Sequence, residues 1–178
     1  MFIYDKKLQY PVKIDRPNPR LASIIISQYG GPDGELGASL RYLSQRYSMP
    51  FDELKGLLTD IGVEELGHLE MVGAIIHQLT RNLKDNQYRD PAFAPYFVDH
   101  TTGVYPTAAA GAVYNTGMMQ VKGDPIADLA EDLGADAADI HSQPYCCRLI
   151  RQNTQNSILA IGYTAVFFPS GNKKHMFC

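Results

Sequence analysis

A carboxylate and an imidazole interrupt the apolar stripe of the longest helix this sequence predicts. Counted from Phe51, the side chains of Leu54, Leu57, Leu58, Ile61, Val72, Ile75, Ile76 and Leu79 recur with the helical period, and Glu65 and His68 fill the gap in the middle. Glu65 follows Ile61 by one turn and His68 precedes Val72 by one turn, so both groups aim at the core. A buried carboxylate without a partner either carries a heavy desolvation penalty or takes up a proton. Coordination of a metal satisfies carboxylate and imidazole together; a hydrogen-bonded core pair is the rival reading.

The bulk composition narrows the setting. With 178 residues, 45% of them hydrophobic and 20% charged, the chain has the make-up of an ordinary globular domain with one core. No apolar run approaches the roughly 20 residues of a membrane span, and the first residues lack a signal-peptide core, so the expectation is a cytoplasmic protein with no membrane partner. A net charge of −3 with scattered lysines and arginines argues against nucleic acid. The averages conceal a break: residues 1–140 hold all nineteen acidic side chains and twelve basic ones, whereas residues 141–178 hold four basic residues, no acid and all three cysteines. Cys146, Cys147 and Cys178 match neither zinc-ligand nor redox-pair spacing and read as unpaired thiols. The expected division is a first unit over 1–140 and a divergent tail over 141–178, the product of a shifted reading frame or a gene fragment.

Element signals then place the candidate residues. An irregular arm with Pro11 and Pro17 precedes a helix from about Arg20 to Gln28, with Asn18 as its cap and Pro19 at the first position. The run Gly30-Gly31-Pro32-Asp33-Gly34 breaks it, and a second helix from Glu35 to Tyr47 carries Leu36, Leu40 and Leu43 beside a stripe of Glu35, Ser39 and Tyr42. A short turn at Met49-Pro50 leads into the long helix, about Phe51 to Leu83, and so short a connection favours antiparallel neighbours that let Glu35 meet Glu65 and His68. Residues 84–123 have little periodicity and read as a long crossover or a lid. A further helix starts at Asp124-Pro125 with Ile126, Leu129, Leu133, Asp136 and Ile140 as its stripe, putting another carboxylate, Asp136, on an apolar face. Glu64 and Glu70 fall beside the stripe of the long helix and read as solvated or as outer partners of the site.

A bundle that supplies a lone Glu from each of two helices and a Glu-x-x-His pair from each of two others is the design of di-iron and di-manganese carboxylate proteins. Glu35 serves as a first lone Glu and Glu65-x-x-His68 as a first pair, with the i, i+3 spacing bringing both side chains to one helix face. Lys6-Lys7-Leu8-Gln9-Tyr10-Pro11, the glycine-rich run ending at Glu35, Leu40-Arg41-Tyr42-Leu43-Ser44-Gln45, Leu57-Leu58-Thr59-Asp60-Ile61-Gly62 with Glu64-Glu65, and Lys122-Gly123-Asp124-Pro125-Ile126-Ala127-Asp128-Leu129 resemble the manganese catalase family, most of all its spore-coat branch. The resemblance covers about residues 4–140. It implies an all-α, ferritin-like up-down helical bundle with a long crossover, and a dimanganese centre that disproportionates hydrogen peroxide to water and oxygen. It also implies that Glu35 and His68 ligate one manganese, that Glu65 bridges two, and that Tyr42 stands behind the ligands.

The same resemblance exposes departures. The family's second lone Glu aligns on Asp136, a methylene shorter, and the arginine that precedes it in some members is Ala135 here. The second Glu-x-x-His has no counterpart, because neither His141 nor His175 has a Glu three positions earlier, so the fourth helix reads as missing or replaced. The sequence therefore leads to a manganese catalase-like protein with an impaired, half-built site that holds one ion or none where the family holds two. Its alternatives are a structural spore-coat component without catalysis and a di-iron carboxylate protein, iron and manganese both accepting Glu and His. Hydrogen peroxide is the implied substrate, and further copies of the chain or spore-coat proteins are the implied partners, with assembly in the cytoplasm or the spore coat.

Overall fold

The computed structural model describes residues 3, 5–8, 11–30, 34–84, 86 and 115–135, and the described part is helical with no strand. Helix α1 spans Pro19–Gly30, α2 spans Glu35–Gln45 and runs on into a 3-10 turn at Arg46–Ser48, and α3 spans Asp52–Thr80. After a further 3-10 turn at Thr116–Met118, residues 125–135 are helical and form α4 as far as it is described. The helix starts follow the local signals. Asn18 Oδ1 accepts the Leu21 N–H at 3.0 Å with Pro19 at the first position, and Asp124 Oδ1 accepts from Ile126 and Ala127 at 3.0 and 2.9 Å. At the far end of α3, Asn82 takes a positive φ of 58° just past Thr80, which closes the helix three residues earlier than Leu83.

Helix α3 is the spine. The pairs Glu35 with His68, Ser39 with Gly62 and Arg46 with Thr59 run in opposite sense along α2 and α3, so the two helices are antiparallel. Helix α1 is antiparallel to α3 as well: the Asn18 N–H donates to the Leu79 carbonyl at 2.8 Å, and Tyr29 lies against Gly73. Helix α1 thus covers the second half of α3 and α2 the first. The ferritin-like up-down arrangement expected from the sequence is the one found.

Two apolar clusters result. Ile14, Leu21, Ala22, Ile25 and Ile26 pack on Val72, Ile75, Ile76 and Leu79, while Tyr42 and Met49 pack on Leu58 and Ile61 with Leu129 of α4 at the edge. At roughly 2 kcal/mol for each fully buried aliphatic side chain, these clusters outweigh the cost of enclosing a few well-paired polar groups between them. Glu35, Glu65 and His68 occupy that interval. The N-terminal arm is strapped over the first cluster by Gln78, whose Oε1 accepts from Ile14 N–H at 2.7 Å and whose Nε2 donates to the Val12 carbonyl at 2.9 Å.

One helix face meets expectation and another differs. On α2 the inward face is the polar stripe: Glu35, Ser39, Arg41, Tyr42 and Gln45 are buried, while Leu36, Leu40 and Leu43 are half-buried. On α4, of the described members of the predicted stripe, Ile126 is 82% and Leu133 53% exposed and Leu129 is half-buried, while Asp128 and Asp132 are buried. Asp128 has a local reason to be inside, because its carboxylate accepts the backbone N–H groups of Lys122 at 2.7 Å and Gly123 at 3.1 Å. Gln45 Nε2 donates to the Gln120 carbonyl at 2.9 Å and ties the segment entering α4 to the end of α2. Most of the expected crossover, Asp136, the 141–178 tail and the question of a fourth ligand-bearing helix lie outside the described residues.

Candidate metal centre

Glu35, Glu65 and His68 converge in the interval between the two apolar clusters, at 6%, 8% and 2% exposure. Each offers a ligand atom, and these atoms lie within 4.8 Å of one another. The placement comes from three local facts. Glu35 is the first residue of α2, directly after the glycine-rich break, and Glu65 and His68 share the core face of α3 at i, i+3 spacing. Between them the helices touch closely: Ser39, one turn after Glu35, donates its hydroxyl to the Gly62 carbonyl, one turn before Glu65, at 2.6 Å. A side chain at position 62 would meet Leu43 Cγ at 2.8 Å and the Ser39 carbonyl at 3.2 Å, so glycine is what permits the approach.

The electrostatics of the trio are dominated by burial. His68 Nδ1 lies 2.7 Å from Glu65 Oε2 and 3.7 Å from Glu35 Oε2. Burial pushes the Glu35 carboxyl up to about 8; the His68 ring opposes the rise and the Glu65 charge adds to it. For His68, burial alone would push the imidazole down, but the Glu35 and Glu65 carboxylates beside Nδ1 outweigh it and hold the ring up to about 10. Without a metal, the trio therefore balances its charge by retaining protons. A divalent cation bound here would take the place of those protons, and two carboxylates with one imidazole make a hard donor set suited to manganese or iron.

Of the five residues singled out in the sequence, the structure brings Glu35, Glu65 and His68 together. Tyr42 is buried on the same face of α2, seven residues beyond Glu35, inside the second apolar cluster. Asp136 lies outside the described residues. The period count put Ser39 on the stripe of Glu35 and Tyr42 without a role and passed over Gly62; both sit about one turn from a candidate ligand on facing helices and both are small, which is the available signal for a close crossing. The buried Arg41, Asp128 and Asp132 were also missed, since a period count treats charged residues as solvent-facing.

Comparison with known proteins agrees with the geometry. A family model described as manganese containing catalase matches residues 1–151. Protein CotJC of Bacillus subtilis (strain 168) is 49% identical over 136 residues, covering 76% of this chain and 71% of that protein. The manganese catalase of Bacillus subtilis is 30% identical over 150 residues, covering 77% of this chain, which spans only 55% of that enzyme's length. Among solved structures, KatB, a manganese catalase from Anabaena, superposes with a TM-score of 0.75 at 30% identity, covering 84% of this chain and 67% of the other.

Proposed function

This chain belongs to the manganese containing catalase family, and from that membership we propose that Glu35, Glu65 and His68 hold manganese for the disproportionation of hydrogen peroxide to water and oxygen. The observation that carries the reading is the convergence of two buried carboxylates and a buried imidazole, from two helices, with ligand atoms inside 4.8 Å. Manganese, when bound, would cycle between the divalent and trivalent states and so carry the two electrons that one peroxide gives up and another takes. The chain's own part is to hold and shield. Glu35 and Glu65 supply anionic oxygens at the joint of α2 and α3, His68 Nδ1 faces both, and the flanking apolar clusters exclude bulk water. By the family's pattern Glu65 would be the residue shared by two ions, and Tyr42, buried on the same face of α2 in the second apolar cluster, would stand behind the ligands.

We read residues 1–140 as the ferritin-like unit and 141–178 as a separate tail, with Asp136 as the fourth candidate ligand. A second ion asks for donors beyond the trio, and past Asp136 the sequence has no Glu-x-x-His. The trio by itself accounts for one ion, and because two electrons must be taken and returned at one centre, low or absent turnover is expected of it. Purified protein tests it: manganese content by elemental analysis together with oxygen release on adding peroxide. Metal uptake abolished in Glu65→Gln supports the reading, and a wild-type protein that takes up neither manganese nor iron from solution overturns it.

The identity to CotJC, 49% against 30% for the Bacillus catalase, favours a second role as a spore-coat component assembled with further copies or other coat proteins. Self-association that persists in Glu65→Gln while turnover is lost would separate the two roles.

A further inference from the structure

His68 presents its two ring nitrogens to different surroundings. Nδ1 faces Glu65 and Glu35, whereas Nε2 is fully buried and has no hydrogen-bond partner among the described residues. A buried ring N–H left unpaired costs free energy comparable to a lost hydrogen bond, and such groups almost always find an acceptor. Among the described residues, a carboxylate on that side belongs to Glu64, whose Oε1 stands 4.0 Å from Nε2. Residues 64 and 68 are one turn apart on α3, so the two side chains lie over the same strip of helix surface.

We propose that Glu64 is a positioning residue: its carboxylate accepts the Nε2–H of His68 and so fixes Nδ1 as the nitrogen turned toward Glu35 and Glu65. The period count sets Glu64 aside as lying beside the stripe, and its side chain is indeed 39% exposed. That exposure suits the role. The remaining distance to an ordinary N–H···O length is about 1 Å, within the swing of a glutamate side chain, while the ring it orients stays buried. An imidazole that donates one N–H to a carboxylate has its tautomer and plane set and its other nitrogen made more basic. Glu64 itself does not join the group of three converging ligand atoms. As far as manganese affinity is concerned, the proposal rests on the metal reading above, but the Glu64–His68 bond does not.

The test pairs two measurements on the full chain. Manganese(II) affinity is read by titration with electron paramagnetic resonance for wild type, Glu64→Ala and Glu64→Gln, and the proton on His68 Nε2 is read by nitrogen-15 NMR on metal-free protein. Glu64→Ala is expected to weaken manganese binding on the order of 10- to 100-fold, with most of the loss recovered in Glu64→Gln, which keeps an acceptor. The Nε2 proton is expected to be slow to exchange in wild type and Glu64→Gln, and fast in Glu64→Ala. Unchanged affinity and unchanged exchange in Glu64→Ala would overturn the proposal. So would complete loss of binding in Glu64→Gln to the level of Glu65→Gln, because Glu64 would then be a ligand. A wild type that binds no manganese but loses its protected Nε2 proton in Glu64→Ala would refute the metal reading and support the Glu64 bond.

Discussion

Ser39 and Gly62 join the two helices that carry the candidate ligands: the serine hydroxyl donates to the glycine carbonyl at 2.6 Å, one turn inward from Glu35 on α2 and one turn before Glu65 on α3. The contact sets both the spacing and the register of the crossing, and the site inherits its geometry from it.

Replacing Gly62 by alanine should show this. Helix propensity alone favours alanine over glycine by about 1 kcal/mol, yet the new Cβ would sit 2.8 Å from Leu43 Cγ and 3.2 Å from the Ser39 carbonyl. Leu43 Cγ is a branch carbon close to its own backbone and the Ser39 oxygen is backbone, so neither yields freely. Net destabilisation of about 1–3 kcal/mol is expected in urea unfolding, whereas Gly56→Ala on the same helix, with nothing within 4 Å, should be stabilising. Equal gains in both variants would disprove the tight crossing.

Removal of the imidazole should be harder to bear. In His68→Ala, the Glu65 carboxylate loses a 2.7 Å partner and is left facing Glu35 in a buried site. Breaking a buried ion pair from one side costs about 3–5 kcal/mol, so the metal-free variant should unfold at markedly lower urea concentration and take up no manganese by elemental analysis. Wild-type stability in this variant would mean the trio is solvated.

Stability of the metal-free protein should fall as pH rises. Glu35 is held up to about 8 from 4.5 and His68 up to about 10 from 6.5, so the folded state binds more protons than the unfolded chain between those limits. The Glu35 contribution is complete below 4.5 and lost by about 8; the His68 contribution is complete below 6.5 and lost as pH passes about 10. Each extra proton gives a slope of about 1.4 kcal/mol per pH unit. Manganese competes with the same protons, so its binding should tighten over this range and flatten the stability profile. Urea midpoints at pH 5, 7 and 9, with and without manganese, read both trends; stability rising with pH in the metal-free protein contradicts them.

The entry to α4 offers a test away from the metal. Asp128 accepts the backbone N–H groups of Lys122 and Gly123, the latter at a positive φ of 77°. Asp128→Ala leaves both donors without their partner, for a cost of about 1–3 kcal/mol. Hydrogen exchange at these two amides should accelerate in the variant, and unchanged protection would show that other groups hold the turn.

Much of this molecule is readable residue by residue. Asn18-Pro19 and Asp124-Pro125 announce helix starts because capping depends on neighbours within one turn, and the helices begin there. The periodicity that put Glu65 and His68 on the core face of α3 is equally local, and both are buried. What the chain order alone left undecided was everything that depends on which surfaces meet. On α2 the count offered two neighbouring stripes, Leu36, Leu40 and Leu43 beside Glu35, Ser39 and Tyr42, and the polar one lies inward, where Ser39 meets Gly62. Ile126 and Leu133 looked inward on α4, and Asp128 took the interior because the preceding turn gave it two amide hydrogens. Local sequence determines helices and their periodic faces through short-range sterics and hydrogen bonding. Only packing between segments thirty residues apart decides that Glu35 reaches Glu65 and His68, because the energy that selects a crossing belongs to both surfaces at once.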